Sequence, residues 1–547
     1  MDINNGKIIF NGKEYCPKDV DLPCIDNNSK SVALLMKRLP KLIYTICDCF
    51  ERKITFIPID PTYPKDRIQY VIDNSMPDEI ISDIDDVDFT PINSTSTELK
   101  DISYILYTSG STGNPKGVEI SRCALFNFFE GISDVIDFLP GKRIACLTTV
   151  SFDIFFLESL MAIYKGLTVV LANEDEQRNP RLMAKFISDN DIDMIQMTPS
   201  RMQLLLNHDK ELDCLKSVKE IMIGGEPFPF SLLQILQKHT TAKIYNMYGP
   251  TETTIWSTVS DLTNKHYVDI GRPIKNTEIY IVDENLYLLP NGQVGEICIA
   301  GKGLAKGYVG RADLTAEKFV NLPQNPETRI YRTGDVGRYL DNGDLEHLGR
   351  IDNQVKIRGH RIELEEIEAH LNQFLGINQN VVVAVETNET EKTLHAFYTS
   401  ENNIDTKDIS NYLSTKLPDY MIPAVFKRIK EFIQTANGKI DRKRVLECVE
   451  IESINYDTQT HIENKELTGI QRRILSAIIE SLKEKITDNI PLDTEFNSIG
   501  LNSIFFIKTV VTLETEFDFE FDDEKLLITE FPTVMSMIEY VESKVQC

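Results

Sequence analysis

Between about residue 100 and residue 350 the chain alternates short β-rich apolar runs with amphipathic stretches, the rhythm of a doubly wound α/β domain. Arg143–Thr148, Leu167–Ala172, Met194–Met197 and Glu220–Ile223 are predicted strands. Helical patterns separate them, Pro180-Arg-Leu-Met-Ala-Lys-Phe-Ile187 for example. From 268 to 348 the runs shorten, and Pro290-Asn-Gly292 and Asp341-Asn-Gly343 predict hairpin turns. A smaller α+β region is expected from Asp352 to about residue 448. Residues 449–464 are polar and lack helical period, so they read as a linker. Beyond them Leu467–Ile486 is amphipathic, and Ser503–Glu516 carries apolar Ile504, Phe505, Ile507 and Val511. An all-α bundle is expected there. No internal repeat is visible.

Length and charge narrow the picture. A chain of 547 residues has material for several cores, and its 42% hydrophobic content is ordinary for a globular protein. No apolar run approaches the roughly 20 residues needed to span a bilayer. Met1-Asp-Ile-Asn-Asn-Gly-Lys7 lacks an apolar signal core, so a cytoplasmic location and no membrane partner are expected. Ten cysteines are scattered without a Cys-x-x-Cys pair, which implies neither a zinc site nor a disulfide framework. A net charge of −26 argues against nucleic acid as a partner. Residues 451–547 hold 19 acidic against 8 basic residues; such a module has solvated faces and suits docking onto basic surfaces.

The densest chemistry lies in Tyr107-Thr-Ser-Gly-Ser-Thr-Gly-Asn-Pro-Lys-Gly117, just after the strand-like run Ile102–Tyr107. Glycines let backbone N–H groups turn toward an anion, and hydroxyls add donors, so this is a phosphate-cradling loop. It is not a Walker A loop, because Lys116 precedes its glycine, and no Gly-x-Gly-x-x-Gly follows the strand. The run resembles the phosphate loop of the adenylate-forming enzymes. The resemblance continues in order through Asn246-Met-Tyr-Gly-Pro-Thr-Glu-Thr-Thr254, Gly295–Gly301, Tyr331-Arg-Thr-Gly-Asp335, Gly349-Arg-Ile-Asp-Asn-Gln-Val-Lys-Ile-Arg-Gly359 and Asn437-Gly-Lys-Ile-Asp-Arg442. The subtype resembles the amino-acid-activating domains of nonribosomal peptide synthetases. The fold this implies is a large α/β adenylation domain, 1–351, and a small mobile α+β subdomain, 352–448, hinged at Asp352. After the linker a four-helix carrier domain, 465–547, is expected.

Residue by residue, the resemblance assigns Ser109, Gly110, Ser111, Thr112, Gly113 and Lys116 to the β and γ phosphates of ATP. Thr251 is implied at the α phosphate and Glu252 as a Mg²⁺ ligand, a hard anionic oxygen for a hard cation. Tyr248 is implied against the adenine. Asp335 would accept hydrogen bonds from both ribose hydroxyls, supported by Arg350 and Lys356. Lys439 is implied as a mobile catalytic lysine bridging the substrate carboxylate and the reacting phosphate. Asp153, after Phe152, matches the aspartate that meets the substrate ammonium and so selects α-amino acids. The remaining pocket positions are Ile154, Leu157, Gln196, Met222, Gly224, Met247, Ile255 and Trp256, with Lys439 at the carboxylate end. This lining is crowded, offers a substrate side chain no charge, and resembles the family's glycine-type pattern. Glycine is the expected substrate, with alanine next.

Asp493-Thr-Glu-Phe-Asn-Ser-Ile-Gly-Leu-Asn-Ser-Ile504 resembles the carrier signature around a serine bearing 4′-phosphopantetheine, which makes Ser503 the attachment site for a phosphopantetheinyl transferase. Asn502 departs from the Asp or His frequent there. No condensation, thioesterase or reductase segment is recognisable, so a downstream synthetase or tailoring enzyme is expected to receive the aminoacyl group in trans. The start departs most: Lys53–Pro64 resembles an early motif, yet few residues precede it, and the usual Leu-Thr-Tyr is reduced to Lys13-Glu-Tyr15. A shortened start is expected to expose an apolar patch from Val32 to Ile46, for which an MbtH-type accessory protein is a candidate cover. The competing expectation is a nonproductive scaffold whose carrier is used for docking or is loaded in trans.

Overall fold

The computed structural model describes residues 6–84, 101–110, 113–386, 392–433, 440–442, 444–445, 468–481, 492, 503–517, 519, 521–522, 531 and 533–545. Ser111, Thr112, Lys439, Asn502 and the linker lie outside them. The described residues group into two compact units. One is built from Met1–Phe374 and Lys407–Ile422, the other from Leu375–Thr387, Lys392–Thr406 and Pro423–Cys547.

The first unit holds a nine-stranded sheet. Its order is Arg272–Pro273, Thr258–Asp261, Lys243–Tyr248, Glu220–Gly224, Met194–Met197, Arg143–Cys146, Thr168–Leu171, Lys7–Phe10 and Lys13–Tyr15. From Lys7–Phe10 through Lys243–Tyr248 each neighbouring pair is parallel, so the crossovers must be helical. The predicted central strands occur within a residue or two of their expected ends. Helix Pro180–Asp189 starts where Asn179 accepts hydrogen bonds from the N–H groups of Arg181 and Leu182, with Pro180 at its first position.

A second, five-stranded sheet runs Glu79–Ser82, Ser31–Leu35, Thr55–Pro58, Ile102–Thr108, Lys116–Ser121. This sheet corrects the expected exposed patch at the start of the chain. Ser31–Leu35 is an interior strand, paired parallel on both sides, and all five of its residues are buried. Its two faces feed different cores: Val32 and Leu34 join one apolar cluster, Ala33 and Leu35 another. Helix Pro40–Arg52 buries Leu42, Ile43, Tyr44 and Ile46 in the first of these. Strands and helices later in the chain cover what a reading of the first fifty residues leaves bare.

Arg38 ties the two sheets together. Its guanidinium donates to the carbonyls of Ala172 (2.8 Å), Thr148 (2.5 Å) and Cys146 (2.6 Å), at or just past the ends of two strands of the large sheet. A third, antiparallel sheet contains Thr277–Val282, Gly295–Gly301, Asn325–Tyr339, Phe319–Leu322 and Leu345–Arg350, and Asp341-Asn-Gly343 turns between two of its strands as expected.

The second unit contains the three-stranded sheet Gln379–Glu386, Lys392–Thr399 and Val425–Arg428, and helices Gly469–Ser481, Ser503–Phe517 and Val534–Val545. The three helices share an apolar core that includes Ile474, Ile478, Phe506, Val510, Leu513, Met537 and Ile538. Among the described residues no helix is long and apolar enough to cross a membrane.

Candidate active site

The cleft of the first unit is lined from three sides: by Thr108 and Ser109, by the Tyr248–Thr251 segment, and by Asp335, Arg350 and Lys356. Strands Ile102–Thr108 and Lys116–Ser121 form an antiparallel hairpin with Thr108 opposite Lys116, and the glycine-rich loop is its turn. Sequence explains the glycines: a Cβ on Gly110 would lie 2.1 Å from the Asn114 carbonyl oxygen, and Gly113 has φ +88°.

Lys116 is buried, with Nζ 3.4 Å from Glu252 and 3.9 Å from Glu363. Burial and the nearby Arg361 charge lower its ammonium to about 8, although both carboxylates oppose the shift. Glu252 sits in the short turn Thr251–Thr253 and is fully buried. It accepts from Tyr308 Oη (2.8 Å) and Arg361 Nη1 (2.7 Å). Burial alone would raise its carboxyl; the charges of Arg361 and Lys116 outweigh that and hold it well below the usual range. After this turn Thr254 and Ile255 both have positive φ, +68° and +66°, a costly conformation for non-glycine residues that redirects the chain toward Trp256.

Asp335 faces Arg350 across paired strands and receives Arg350 Nη1 (2.6 Å) and Tyr248 Oη (2.7 Å). Burial pushes its carboxyl up, but the hydrogen bond from His347 and the Arg350 charge hold it well below the usual range. Arg350 also grips Asp352 through two bonds, Nε to Oδ1 (2.6 Å) and Nη2 to Oδ2 (2.7 Å), linking two residues that the sequence expectation gave separate roles.

At the other end of the cleft Asp153 is buried, and its Oδ2 has no hydrogen-bond partner. Burial is the main reason its carboxyl is raised to about 6, partly offset by Thr251 and the Ile255 backbone. Asp153, Ile154, Ile255 and Trp256 line the cleft. Ile154, Leu157, Met222, Met247, Ile255 and Trp256 belong to one apolar cluster. Gln196 stands beside Met222, and Gly224 beside Met247, on paired strands. A Cβ on Gly224 would come within 2.7 Å of the Trp256 ring, so the indole fills the space a side chain there would take.

Several residues of this site escaped the sequence reading. Arg361, Glu363 and Glu366 reach the glycine loop and Glu252, and the His360 ring stacks on Tyr420 at 3.7 Å. The available signal was Arg358-Gly-His-Arg-Ile-Glu363, which continues the last glycine motif. Ser503 is the first residue of its helix.

Residues 27–309 match the family described as AMP-binding enzyme. The chain belongs to the AMP-binding enzymes. Residues 472–541 of this AMP-binding enzyme match the phosphopantetheine attachment site family, so an adenylation domain is fused to a C-terminal carrier domain. ATP with Mg²⁺ and 4′-phosphopantetheine are the cofactors that go with these two families. The enzyme is 39% identical over 440 residues to the dimodular nonribosomal peptide synthase of Bacillus subtilis (strain 168), covering 75% of this chain and 18% of the relative. It is 33% identical over 544 residues to gramicidin S synthase 1 of Brevibacillus brevis, covering 93% of this chain and 47% of the relative. The chain thus spans less than half the length of either. Among solved structures, one containing adenylation and peptidyl carrier domains matches with TM-score 0.74 at 22% identity, covering 94% of this chain and 88% of that one. A holo four-domain nonribosomal peptide synthetase matches with TM-score 0.54 at 29% identity, covering 94% of this chain and 39% of that one.

Proposed function

We propose that this chain activates a small amino acid, glycine first and alanine next, as its aminoacyl adenylate and passes it to the phosphopantetheine arm on Ser503. The observation that carries the reading is the pair Asp153 and Trp256. A buried carboxylate with a free oxygen is costly on its own and matches one ammonium group. The indole closes the space beyond it, against Gly224. Steric exclusion of larger side chains is the stronger form of discrimination, so glycine ranks ahead of alanine. The four-domain synthetase at 29% identity is described as bound to AMP and glycine, which agrees with this ranking.

In this reading Ser109 to Gly113 and Lys116 hold the β and γ phosphates, Thr251 the α phosphate, Tyr248 the adenine and Asp335 the ribose, with Arg350 and Lys356 in support. Among the described residues no group of three His, Cys, Asp or Glu side chains could hold a metal. Glu252 with the nucleotide phosphates suits Mg²⁺, which binds through one or two carboxylates plus substrate phosphates. Mg²⁺ there would neutralise charge developing on the phosphates. Lys439, outside the described residues, would bridge the carboxylate and the α phosphate. The phosphopantetheine arm would supply the thiol that accepts the aminoacyl group.

The domain plan proposed is 1–351, a hinge at Asp352, 352–448, a linker at 449–464 and a carrier at 465–547. A phosphopantetheinyl transferase and a downstream enzyme acting in trans are the partners of this scheme, in the cytoplasm; with the patch from Val32 to Ile46 buried, the ground for an accessory protein of the MbtH type is gone. Amino-acid-dependent ATP–pyrophosphate exchange tests the substrate. Glycine should dominate over alanine, β-alanine, larger amino acids and aryl acids; exchange dominated by a bulky amino acid would discard the pocket reading.

A further inference from the structure

Glu158 is a charged side chain that the proposed chemistry leaves unused. It is fully buried and stands on the π-helical turn Leu157–Met161, five residues after Asp153. Its Oε2 accepts the N–H groups of Leu147 (2.9 Å) and Thr148 (2.8 Å), and its Oε1 accepts from Thr148 Oγ1 (2.7 Å). The carbonyls of the same two residues are taken as well. That of Leu147 accepts from Arg201 Nη1 (3.0 Å) and from Gln177, and that of Thr148 from Arg38 Nη1 (2.5 Å). The two residues that follow strand Arg143–Cys146 are therefore fixed on both their donor and their acceptor sides. A carboxylate is expensive to bury alone; here the Thr148 donors and the Arg38 and Arg201 charges offset part of that cost.

These bonds close the chain from Thr148 to Glu158 into a loop, with Asp153 at its middle. Inside the loop the Phe152 N–H donates to the Thr149 carbonyl (3.2 Å) and the Phe156 N–H to the Asp153 carbonyl (2.9 Å), so short turns carry the placement of each end to Asp153. Single π turns are rare and concentrate at functional sites; this one carries the residue that closes the loop. We propose that Glu158 is a positioning residue: by clamping the start of the loop it sets the place of the Asp153 carboxylate, and through it the grip on the substrate ammonium. This rests on the proposed reading that Asp153 meets that ammonium. Glu158 does not line the cleft, so it acts through Asp153. Asp153 Oδ2 has no hydrogen-bond partner of its own, so the backbone that carries it has to hold it in place. Misplacing such a group by about 1 Å can cost about a hundredfold.

Calorimetric titration of the full chain compares 5′-O-(glycylsulfamoyl)adenosine, a stable mimic of the glycyl adenylate, with AMP, which lacks the glycyl end. Glu158→Ala should weaken the mimic at least about tenfold and leave AMP unchanged. Glu158→Gln should match the unaltered protein on both ligands, because its amide oxygen can accept the two N–H groups and its amide nitrogen can donate to the Thr148 hydroxyl. Glu158→Asp keeps the charge but is one methylene short, and it should weaken the mimic alone. This pair carries the test if the alanine variant does not fold. An alanine variant that holds the mimic unchanged, equal loss of mimic and AMP, or an aspartate variant that binds the mimic better than the glutamine variant would overturn the inference. A cycle with Asp153→Asn separates it from the reading beneath. In that background Glu158→Ala should weaken the mimic no further; full additivity would overturn the positioning role alone. An Asp153→Asn variant that holds the mimic as tightly as the unaltered protein would bring down the ammonium reading with it.

Discussion

Asp153 carries an energetic cost that its substrate would relieve. Raising a carboxyl from 3.8 to about 6 corresponds to destabilisation on the order of 3 kcal/mol when the group is charged. The folded state binds the extra proton between those two values, so this cost appears as pH rises through that window and is complete above about 6. An ammonium docked on the charged form reverses the balance. Glycine affinity should therefore be full above pH 6 and fall as pH drops through it. Asp153→Asn should bind glycine at least about a hundredfold more weakly and lose that pH dependence, measured by calorimetry from pH 5 to 8. Retained affinity in that variant would remove Asp153 from the ammonium. The same residues show what sequence discloses. Asp153, Lys116, Glu252 and Asp335 stand inside motifs with recognisable order, so their convergence on one region was legible. Arg361 and Glu366 were not, because their partners Glu252 and Gly110 lie 109 and 256 residues away, and nothing local to either marks the meeting.

At the level of elements, the site depends on how the nine-stranded and five-stranded sheets are held together over a shared apolar core. Arg38 supplies three hydrogen bonds to carbonyls at or just past the strand ends of the large sheet. Arg38→Met should leave those acceptors without their charged donor and cost about 2–3 kcal/mol, read as a lowered denaturant midpoint with an unchanged slope. An unchanged midpoint would show that the sheets are held by apolar packing alone. The strands of the large sheet were legible because buried parallel strands are short apolar runs with few alternatives. Strand Ser31–Leu35 is of the same kind, yet its neighbours Thr55–Pro58 and Glu79–Ser82 follow it in sequence, and without their register it read as an uncovered patch.

For the whole molecule, the proposed adenylating cleft and a carrier helix that begins at Ser503 belong to one chain. The two half-reactions should separate by mutation. Lys439→Ala should lower ATP–pyrophosphate exchange by at least about a hundredfold, the cost of losing a charged group aimed at the reacting phosphate, while Ser503 still accepts phosphopantetheine. Ser503→Ala should leave exchange intact and abolish covalent loading. In the proposed function one small amino acid is activated here and ends on Ser503. Its most direct test is intact-protein mass spectrometry of the phosphopantetheinylated chain after incubation with MgATP and an equimolar mixture of the common amino acids. A single glycyl adduct is expected, mapped by proteolysis to the arm on Ser503 and absent from Ser503→Ala. A bulky aminoacyl adduct, or a glycyl adduct that persists in Ser503→Ala, would contradict it.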